Sequence, residues 1–340
     1  MKSINLALVG ASGLVGRTML KALEEYAIPV SKLLLYGSAR SAGTEIIFRN
    51  QTYIIQELSK DLPNDLDYAL FSAGGSVSRE YAPLFAAKGC VVIDNSSAWR
   101  MDENCPLIVP EVNFHHFNSD KPNNNSNKII ANPNCSTIQM MLPLKALHEK
   151  YGLRRVVVST YQSISGAGQK GVDKLMNEIN GQVDNSLSKH KIAFNTIFHS
   201  FTKDDELDGY TEEEIKMIRE SRKILDLPNL DITATCVRLP ILGGHGESLN
   251  IELNNDYKLN ELIDTLAAFD GIKIINENID ETYPTVQMCA NRDEVFVGRI
   301  RRDNSKSNSV NMWIVADNLR KGAASNAVQI LKKLIENKGK

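Results

Sequence analysis

An apolar run of strand length, Ile4 to Val9, ends on Gly10-Ala11-Ser12-Gly13-Leu14-Val15-Gly16, and an amphipathic stretch from Leu14 to Tyr26 continues without a break. No other feature narrows the fold as much. Glycines where a strand turns into a helix let the backbone approach a pyrophosphate closely. The open N–H groups and the dipole of the helix start attract that anion. The spacing is GxxGxxG rather than GxGxxG, so taken alone it also fits an ordinary tight turn. The next hundred residues favour the nucleotide reading. Lys32 to Tyr36 and Thr52 to Gln56 read as further strands, Tyr68 to Ser72 and Cys90 to Asp94 as short buried ones, with a helix from Ser78 to Lys88 between the last two. Such β-α-β alternation predicts a parallel sheet covered by helices on both faces.

The end of the second strand bears on which nucleotide this Rossmann-type half would take. A site selective for NAD usually places an acidic side chain there, against the ribose 2′-hydroxyl. Here the chain reads Gly37-Ser38-Ala39-Arg40-Ser41-Ala42-Gly43. Arginine and serine are donors suited to a 2′-phosphate, and no carboxylate is present to repel it. Alone, Arg40 would read as a surface cation; in this position it favours NADP. Ser72-Ala73-Gly74-Gly75, after another strand, is placed to line the same crevice.

From about Arg155 the grammar changes. Runs rich in β-branched residues recur at Val156–Tyr161, Ile232–Leu239, Leu249–Leu253, Val295–Ile300 and Val310–Val315, with a helix near Lys258–Phe269. They predict an α+β second domain built on a mixed sheet. The chain closes on a helix whose Ala324, Ala327, Val328, Leu331, Leu334 and Ile335 form one apolar stripe. The tract Asn118 to Lys128 is polar and asparagine-rich, and reads as a solvated loop.

Composition then excludes several partners. With 39 basic and 41 acidic residues and no basic block, the chain lacks an electrostatic footprint for nucleic acid. Its 340 residues suit about two domains. The five cysteines are far apart with no C-x-x-C pair, so neither a disulfide framework nor a metal site is indicated. No apolar window reaches the ~18 residues of a membrane span. The start of the chain carries no secretory pattern, and a reducing cytoplasm is the simplest compartment.

Asn132-Pro133-Asn134-Cys135-Ser136-Thr137 precedes a helical stretch to about Tyr151, with a kink expected at Pro143. Cys135 thus falls at a helix start, where the dipole favours thiolate. Cys90, Cys236 and Cys289 sit in apolar runs and read as core. Among the six histidines, His245 stands on a glycine loop after the strand ending Arg238-Leu239-Pro240, a placement suited to acid–base work. Thr211-Glu212-Glu213-Glu214 reads as a capping box opening a helix. Glu213 and Lys216, three apart, share one face of it, as a surface ion pair would.

Taken in order, GASGLVG, SARSAG, NPNCST, YQSISGAG and the Arg/His pair of VRLPILGGHGE resemble the bacterial aspartate-semialdehyde dehydrogenases of lysine, diaminopimelate, threonine and methionine biosynthesis. The similarity continues through DNLRKGAASNAVQIL and so covers nearly the whole chain. The asparagine-rich tract and Pro143 depart from the pattern, neither at a motif position.

The resemblance implies an NADP-binding domain over 1–134 with 318–340, and a catalytic and dimerisation domain over 135–317. It implies Cys135 as nucleophile, His245 as acid/base and Gln162 as the group orienting the substrate carbonyl. Arg238 would bind the substrate carboxylate, Glu213 its ammonium, and Arg100 and Lys216 its phosphate. Without the family, Arg100 would read as a surface arginine. Cofactor contacts would be Gly10, Ser12, Gly13, Leu14, Val15, Ser38, Arg40, Ser41, Ser165, Gly166 and Asn326. The implied partners are aspartyl phosphate, aspartate semialdehyde, phosphate and a second copy of the chain. The nearest rival, N-acetyl-glutamyl-phosphate reductase, handles an acylated amine that has no ammonium for Glu213. A non-catalytic NADP-sensing protein of the same fold would be expected to have lost Cys135 or His245.

Overall fold

Buried apolar strands side by side form the frame of the first half of the protein, seen in a computed structural model that describes residues 1–117, 128–276 and 282–337. β1 (Ile4–Val9) leads through α1 (Leu14–Glu25) into β2 (Val30–Gly37). β3 (Glu45–Phe48) and β4 (Gln51–Ile54) form a separate two-stranded hairpin, and β5 (Gln56–Glu57) comes next. β6 (Tyr68–Phe71), α2 (Gly75–Ala87), β7 (Val91–Asp94), α3 (Pro110–Asn113) and β8 (Ile129–Ala131) complete this stretch. The sheet runs β5-β2-β1-β6-β7-β8, and every pairing in it is parallel.

Side chains of β1 serve both faces. Leu6 and Leu8 enter one core, while Ala7 and Val9 enter another on the opposite side. That two-sided burial explains why the strand reads as continuous apolar sequence rather than as an alternation. Thr52 to Gln56, expected as a strand of this sheet, is split between the hairpin and the short edge strand β5. The cause is local: Arg49 and Asn50 both have positive φ (48° and 61°), which closes β3 onto β4 in a tight two-residue turn. Of β4 only Tyr53 packs against the core, and Gln51, Thr52 and Ile54 are exposed.

The strand order reverses direction between β1 and β6, and a crevice opens at the carboxyl ends of strands at such a point. Gly10 lies there with φ +89°, and a Cβ on it would come within 2.4 Å of the Ser72 carbonyl oxygen. A Cβ on Gly16 would come within 2.3 Å of the Gly10 oxygen. These two glycines are fixed by close backbone approach.

The second unit contains α4 (Cys135–Tyr151), β9 (Leu153–Gln162), α5 (Gln169–Ile179), β10 (Ile197–Phe198), α6 (Glu212–Leu225), β11 (Asp231–Arg238) and β12 (His245–Leu253). It continues through α7 (Leu259–Ala267), β13 (Ile272–Ile274), β14 (Val295–Arg302) and β15 (Ser309–Ala316). Its sheet runs β10-β11-β9-β12-β15-β14-β13 and is mixed: β9 pairs parallel with β11 and antiparallel with β12. α4 packs on this sheet with α6 and α7 beside it, so nearly all of its circumference is buried. The helix continues through Pro143.

α8 (Ser325–Asn337) returns to the first unit. Its stripe from Ala324 to Ile335 packs into the core that holds Leu6 and Leu8. Burial of each such large side chain contributes roughly 1.5–3 kcal/mol. The two units are 1–133 with 323–340, and 134–322. The borders expected from the resemblance fall one residue later in the first case and five earlier in the second. Residues 118–127 of the asparagine-rich tract lie outside the described residues. No described helix is long and apolar enough to cross a membrane.

Candidate active site

The start of α4 is built by Asn134. Its side-chain oxygen accepts from the backbone N–H groups of Ser136 (3.0 Å) and Thr137 (3.2 Å), the pattern of an N-cap. Its own backbone N–H donates to Glu220 (2.6 Å), and its side-chain amide donates to Glu213 (2.8 Å). Cys135 is therefore the first helical residue, half-buried, with the positive end of the helix dipole at its thiol. The other four cysteines are buried. Burial pushes the Cys236 thiol well above its usual range and Cys289 up to about 12, which makes both inert. Gly322 lies behind the nucleophile, where a Cβ would come 3.0 Å from the Cys135 Cβ.

His245 opens β12, opposite Gln162 at the end of β9. Its Nε2 lies 3.2 Å from the Cys135 sulfur, and the ring is wholly buried. Nδ1 accepts from the Ser163 backbone N–H at 3.0 Å, with the Ser163 hydroxyl 3.2 Å away. A peptide N–H can only donate, so Nδ1 carries no proton and the neutral ring holds its hydrogen on Nε2, facing sulfur. Burial, reinforced by the Arg238 charge, lowers the His245 pKa to about 3. Asn318 ties the surrounding loops together: its oxygen accepts from the Gly244 N–H (3.0 Å) and the Ser163 hydroxyl (3.1 Å).

Beside this pair stand the polar ends of three elements. Gln162 is buried and donates to Ser136 Oγ (2.9 Å) and to Glu213 (3.3 Å). For Glu213, burial favours the neutral acid. His199, Lys216, Asn134 and Arg238 outweigh that cost and hold its pKa at about 2. Lys216 reaches Glu213 at 3.9 Å and the exposed Glu212 at 2.7 Å. The capping box exists, closed by Thr211 and Glu214, so Glu213 is not needed to start the helix. Arg238 ends β11 and donates to the Ser163 carbonyl (2.9 Å) and to His199 Nε2 (2.8 Å). A Cβ on Gly166 would meet the Arg238 guanidinium at 3.2 Å and His245 Nε2 at 3.4 Å, so only glycine fits comfortably between them. Ser165 is buried, its hydroxyl shared with Ser163 and Asn318.

In the first unit, the remaining residues fall into two groups. Gly13 caps α1 with no side-chain hydrogen bond, and Ser12, Leu14 and Val15 are at most half-buried around it, leaving the first-turn N–H groups at an open mouth. Ser38, Arg40 and Ser41 come after β2, with Ser41 Oγ donating to the Ser38 carbonyl (3.1 Å) and Arg40 exposed. A glycine cradle, an open helix start and a cation without an acidic neighbour in Gly37–Gly43 fit a dinucleotide phosphate chain. Arg100 is no surface arginine: it is 8% exposed, donating to the carbonyls of Asn132 (3.0 Å) and Asn95 (3.1 Å). Asn326, the remaining cofactor candidate, also stands in the first unit. It is wholly buried, its amide nitrogen donating to the Ile108 carbonyl (3.0 Å) and Asn132 Oδ1 (2.7 Å), a structural tie within the first unit.

Five residues of the site are not apparent from the sequence: Asn134 as a cap, Ser163, His199, Asn318 and Gly322. All of these but His199 lie inside the family-like motifs, and an asparagine directly before a helix is a signal for Asn134. His199 stands after a two-residue strand that no periodicity reveals.

Comparison with known proteins shows which family the chain resembles. The family profile "Semialdehyde dehydrogenase, NAD binding domain" matches residues 5–119, and "Semialdehyde dehydrogenase, dimerisation domain" matches residues 144–321. The aspartate-semialdehyde dehydrogenase of Aquifex aeolicus is 47% identical, covering 97% of this chain and 98% of the relative. That of Bacillus subtilis is 42% identical, covering 98% of each. The crystal structure of aspartate semialdehyde dehydrogenase II from Vibrio cholerae, complexed with ASA, superposes with a TM-score of 0.92 at 40% identity, over 99% of both chains.

Proposed function

The chain belongs to the aspartate-semialdehyde dehydrogenase family, and from that premise we propose that it converts L-aspartyl-4-phosphate to L-aspartate 4-semialdehyde through a thioester on Cys135. The observation that carries this reading is the 3.2 Å contact between Cys135 sulfur and a neutral, buried His245 at the start of α4. The reaction serves lysine, diaminopimelate, threonine and methionine biosynthesis.

Cys135 attacks the acyl carbon as thiolate; the C–S bond forms, the C–O bond breaks with its electron pair leaving on phosphate, and the departing phosphate takes a proton from solvent. His245, with its hydrogen on Nε2, donates to the sulfur before attack and to the oxygen that turns anionic when the carbonyl becomes tetrahedral. Gln162 orients that carbonyl. The nicotinamide coenzyme, when bound, supplies the hydride that reduces the thioester. Release of the aldehyde returns Cys135 as thiolate, again facing Nε2–H.

Arg238 takes the substrate carboxylate and Glu213, ionised although buried, its ammonium. An N-acylated substrate would offer that carboxylate no ammonium, which disfavours the reductase alternative. Arg100 and Lys216 take the phosphate. If Lys216 served only its exposed pair with Glu212, Lys216→Ala would cost well under ~1 kcal/mol of stability and leave catalysis alone. We expect instead a normally folded variant needing far more phosphate in the direction that consumes semialdehyde, with a smaller change in the semialdehyde KM. Initial rates against phosphate at saturating semialdehyde decide between them, and an unaltered phosphate dependence returns Lys216 to the surface.

The cofactor is a nicotinamide dinucleotide. We take it to be NADP, held by Gly10, Ser12, Gly13, Leu14 and Val15 at the pyrophosphate loop, by Ser38, Arg40 and Ser41 at the 2′-phosphate, and by Ser165 and Gly166. Arg40→Ala should raise the KM for NADP much more than that for NAD, since only NADP carries the 2′-phosphate. An unchanged ratio of the two constants refutes the role of Arg40. A homodimer is supported by the dimerisation-domain match and by the exposed Phe194, Phe198 and Phe201 of the second unit. Five cysteines held as thiols suit a reducing cytoplasm.

A further inference from the structure

His199 is a histidine beside the site that the proposed chemistry leaves unused. It directly succeeds β10, whose Ile197 pairs with Arg238 and Phe198 with Val237, so the imidazole is delivered beside the end of β11. Its Nε2 stands 2.8 Å from Arg238 Nη2, and its Nδ1 stands 3.4 Å from the Cys236 carbonyl oxygen. A guanidinium has only donors, so Nε2 must accept, and the ring's hydrogen sits on Nδ1 toward that carbonyl. Arg238 is thereby held from two sides, by His199 and by the Ser163 carbonyl. Both His199 and Arg238 line a cavity of about 720 Å³ in the second unit.

We infer that His199 is a positioning residue for carboxylate recognition: as a neutral acceptor it fixes the Arg238 guanidinium, and its protonation releases it. The inference rests on the reading of Arg238 as the carboxylate site. The geometry sets the sign. A proton on Nε2 puts two donors face to face across 2.8 Å, and the contact breaks. Around His199 stand Arg238 from β11, the neutral His245 from β12, and Glu213 and Lys216 from α6, with Lys189 and His190 lining the same cavity and the Cys236 carbonyl opposite Nδ1. Glu213 favours the proton, while Arg238 and Lys216 oppose it. Burial adds to the opposition and carries the balance, so the His199 pKa lies below its ordinary value. At neutral pH the clamp is closed; as the pH falls through the acid side of the imidazole range, it opens.

The test uses the full-length enzyme in the direction that consumes aspartate semialdehyde, with kcat and KM measured from about pH 8 down to about pH 5.5. For the wild type, the semialdehyde KM, measured at saturating phosphate, should rise toward low pH. His199→Leu, which removes the acceptor, should raise the semialdehyde KM about tenfold at pH 8, as loss of one charge-assisted hydrogen bond does, with much less change in kcat, and the gap to the wild type should close as the pH falls. His199→Gln keeps an acceptor that does not titrate. It should restore a KM near the wild-type value at pH 8 and abolish the acid rise. A wild-type KM in His199→Leu, or the same acid rise in His199→Gln, overturns the inference. Arg238→Leu separates the two levels. If it raises the semialdehyde KM while His199→Leu does not, only the positioning role fails. If Arg238→Leu leaves that KM unchanged, the carboxylate site itself is misassigned and the inference falls with it.

Discussion

Cys135→Ala should abolish turnover while the protein still folds and still binds its dinucleotide. The substitution removes a half-buried side chain at a helix start, where Asn134 keeps the cap through its bonds to Ser136 and Thr137. Little stability is at stake. The variant loses the thiol that forms the covalent intermediate, and covalent catalysis splits one difficult step into two easier ones. Cys236→Ala serves as the control. Cys236 is buried and held as a thiol far above neutral pH, so its loss opens a small cavity and leaves chemistry intact in whatever fraction folds. Equal loss of activity in both variants, with folding confirmed by a cooperative thermal transition, would contradict the assignment.

His245→Ala comes next in size. The ring donates from Nε2 to sulfur, and removing such a preorganised donor or acid/base group costs about 10²–10⁴ in rate. Because the His245 pKa is lowered to about 3, the imidazole stays neutral throughout the working range. Any acid limb in the wild-type kcat between about pH 5 and 7 therefore does not belong to it. Thiol alkylation reads the same contact without substrate. In His245→Ala the reaction of Cys135 with iodoacetamide should lose its advantage over an ordinary exposed cysteine at neutral pH. An unchanged alkylation rate together with an unchanged kcat would remove His245 from the mechanism.

Much of this architecture is legible in the residues because the physics behind it is local. Gly10 and Gly16 are fixed by backbone approaches of a few ångströms, and an apolar run such as Ile4 to Val9 has few alternatives once a helix succeeds it. The stripe from Ala324 to Ile335 faces a core because periodicity records burial. Cys135 can be seen at a helix start since polar residues surround it directly before a helical pattern, while the cap on Asn134 emerges only from its bonds to Ser136 and Thr137. The features that escape are set by distant partners or by unmarked backbone. Asn50 favours a positive φ but Arg49 beside it does not, so the hairpin reads as a sheet strand. Arg100 looks like a surface cation because its burial depends on the carbonyls of Asn95 and Asn132. Asn326 lies in a motif shared with the family, and only the packing of α8 shows its amide nitrogen bonded to the Ile108 carbonyl and to Asn132. His199 acts through an arginine 39 positions away, a relation created entirely by the pairing of β10 with β11.

On this account the chain passes an acyl group between phosphate and Cys135 with a nicotinamide coenzyme as redox partner. The purified protein, incubated with aspartate semialdehyde, NADP and inorganic phosphate, tests it in one cuvette by the absorbance of the reduced coenzyme. The account predicts reduction that requires both semialdehyde and phosphate, and that vanishes in Cys135→Ala. Absence of reduction with all three present, or the same rate when phosphate is left out, would contradict it.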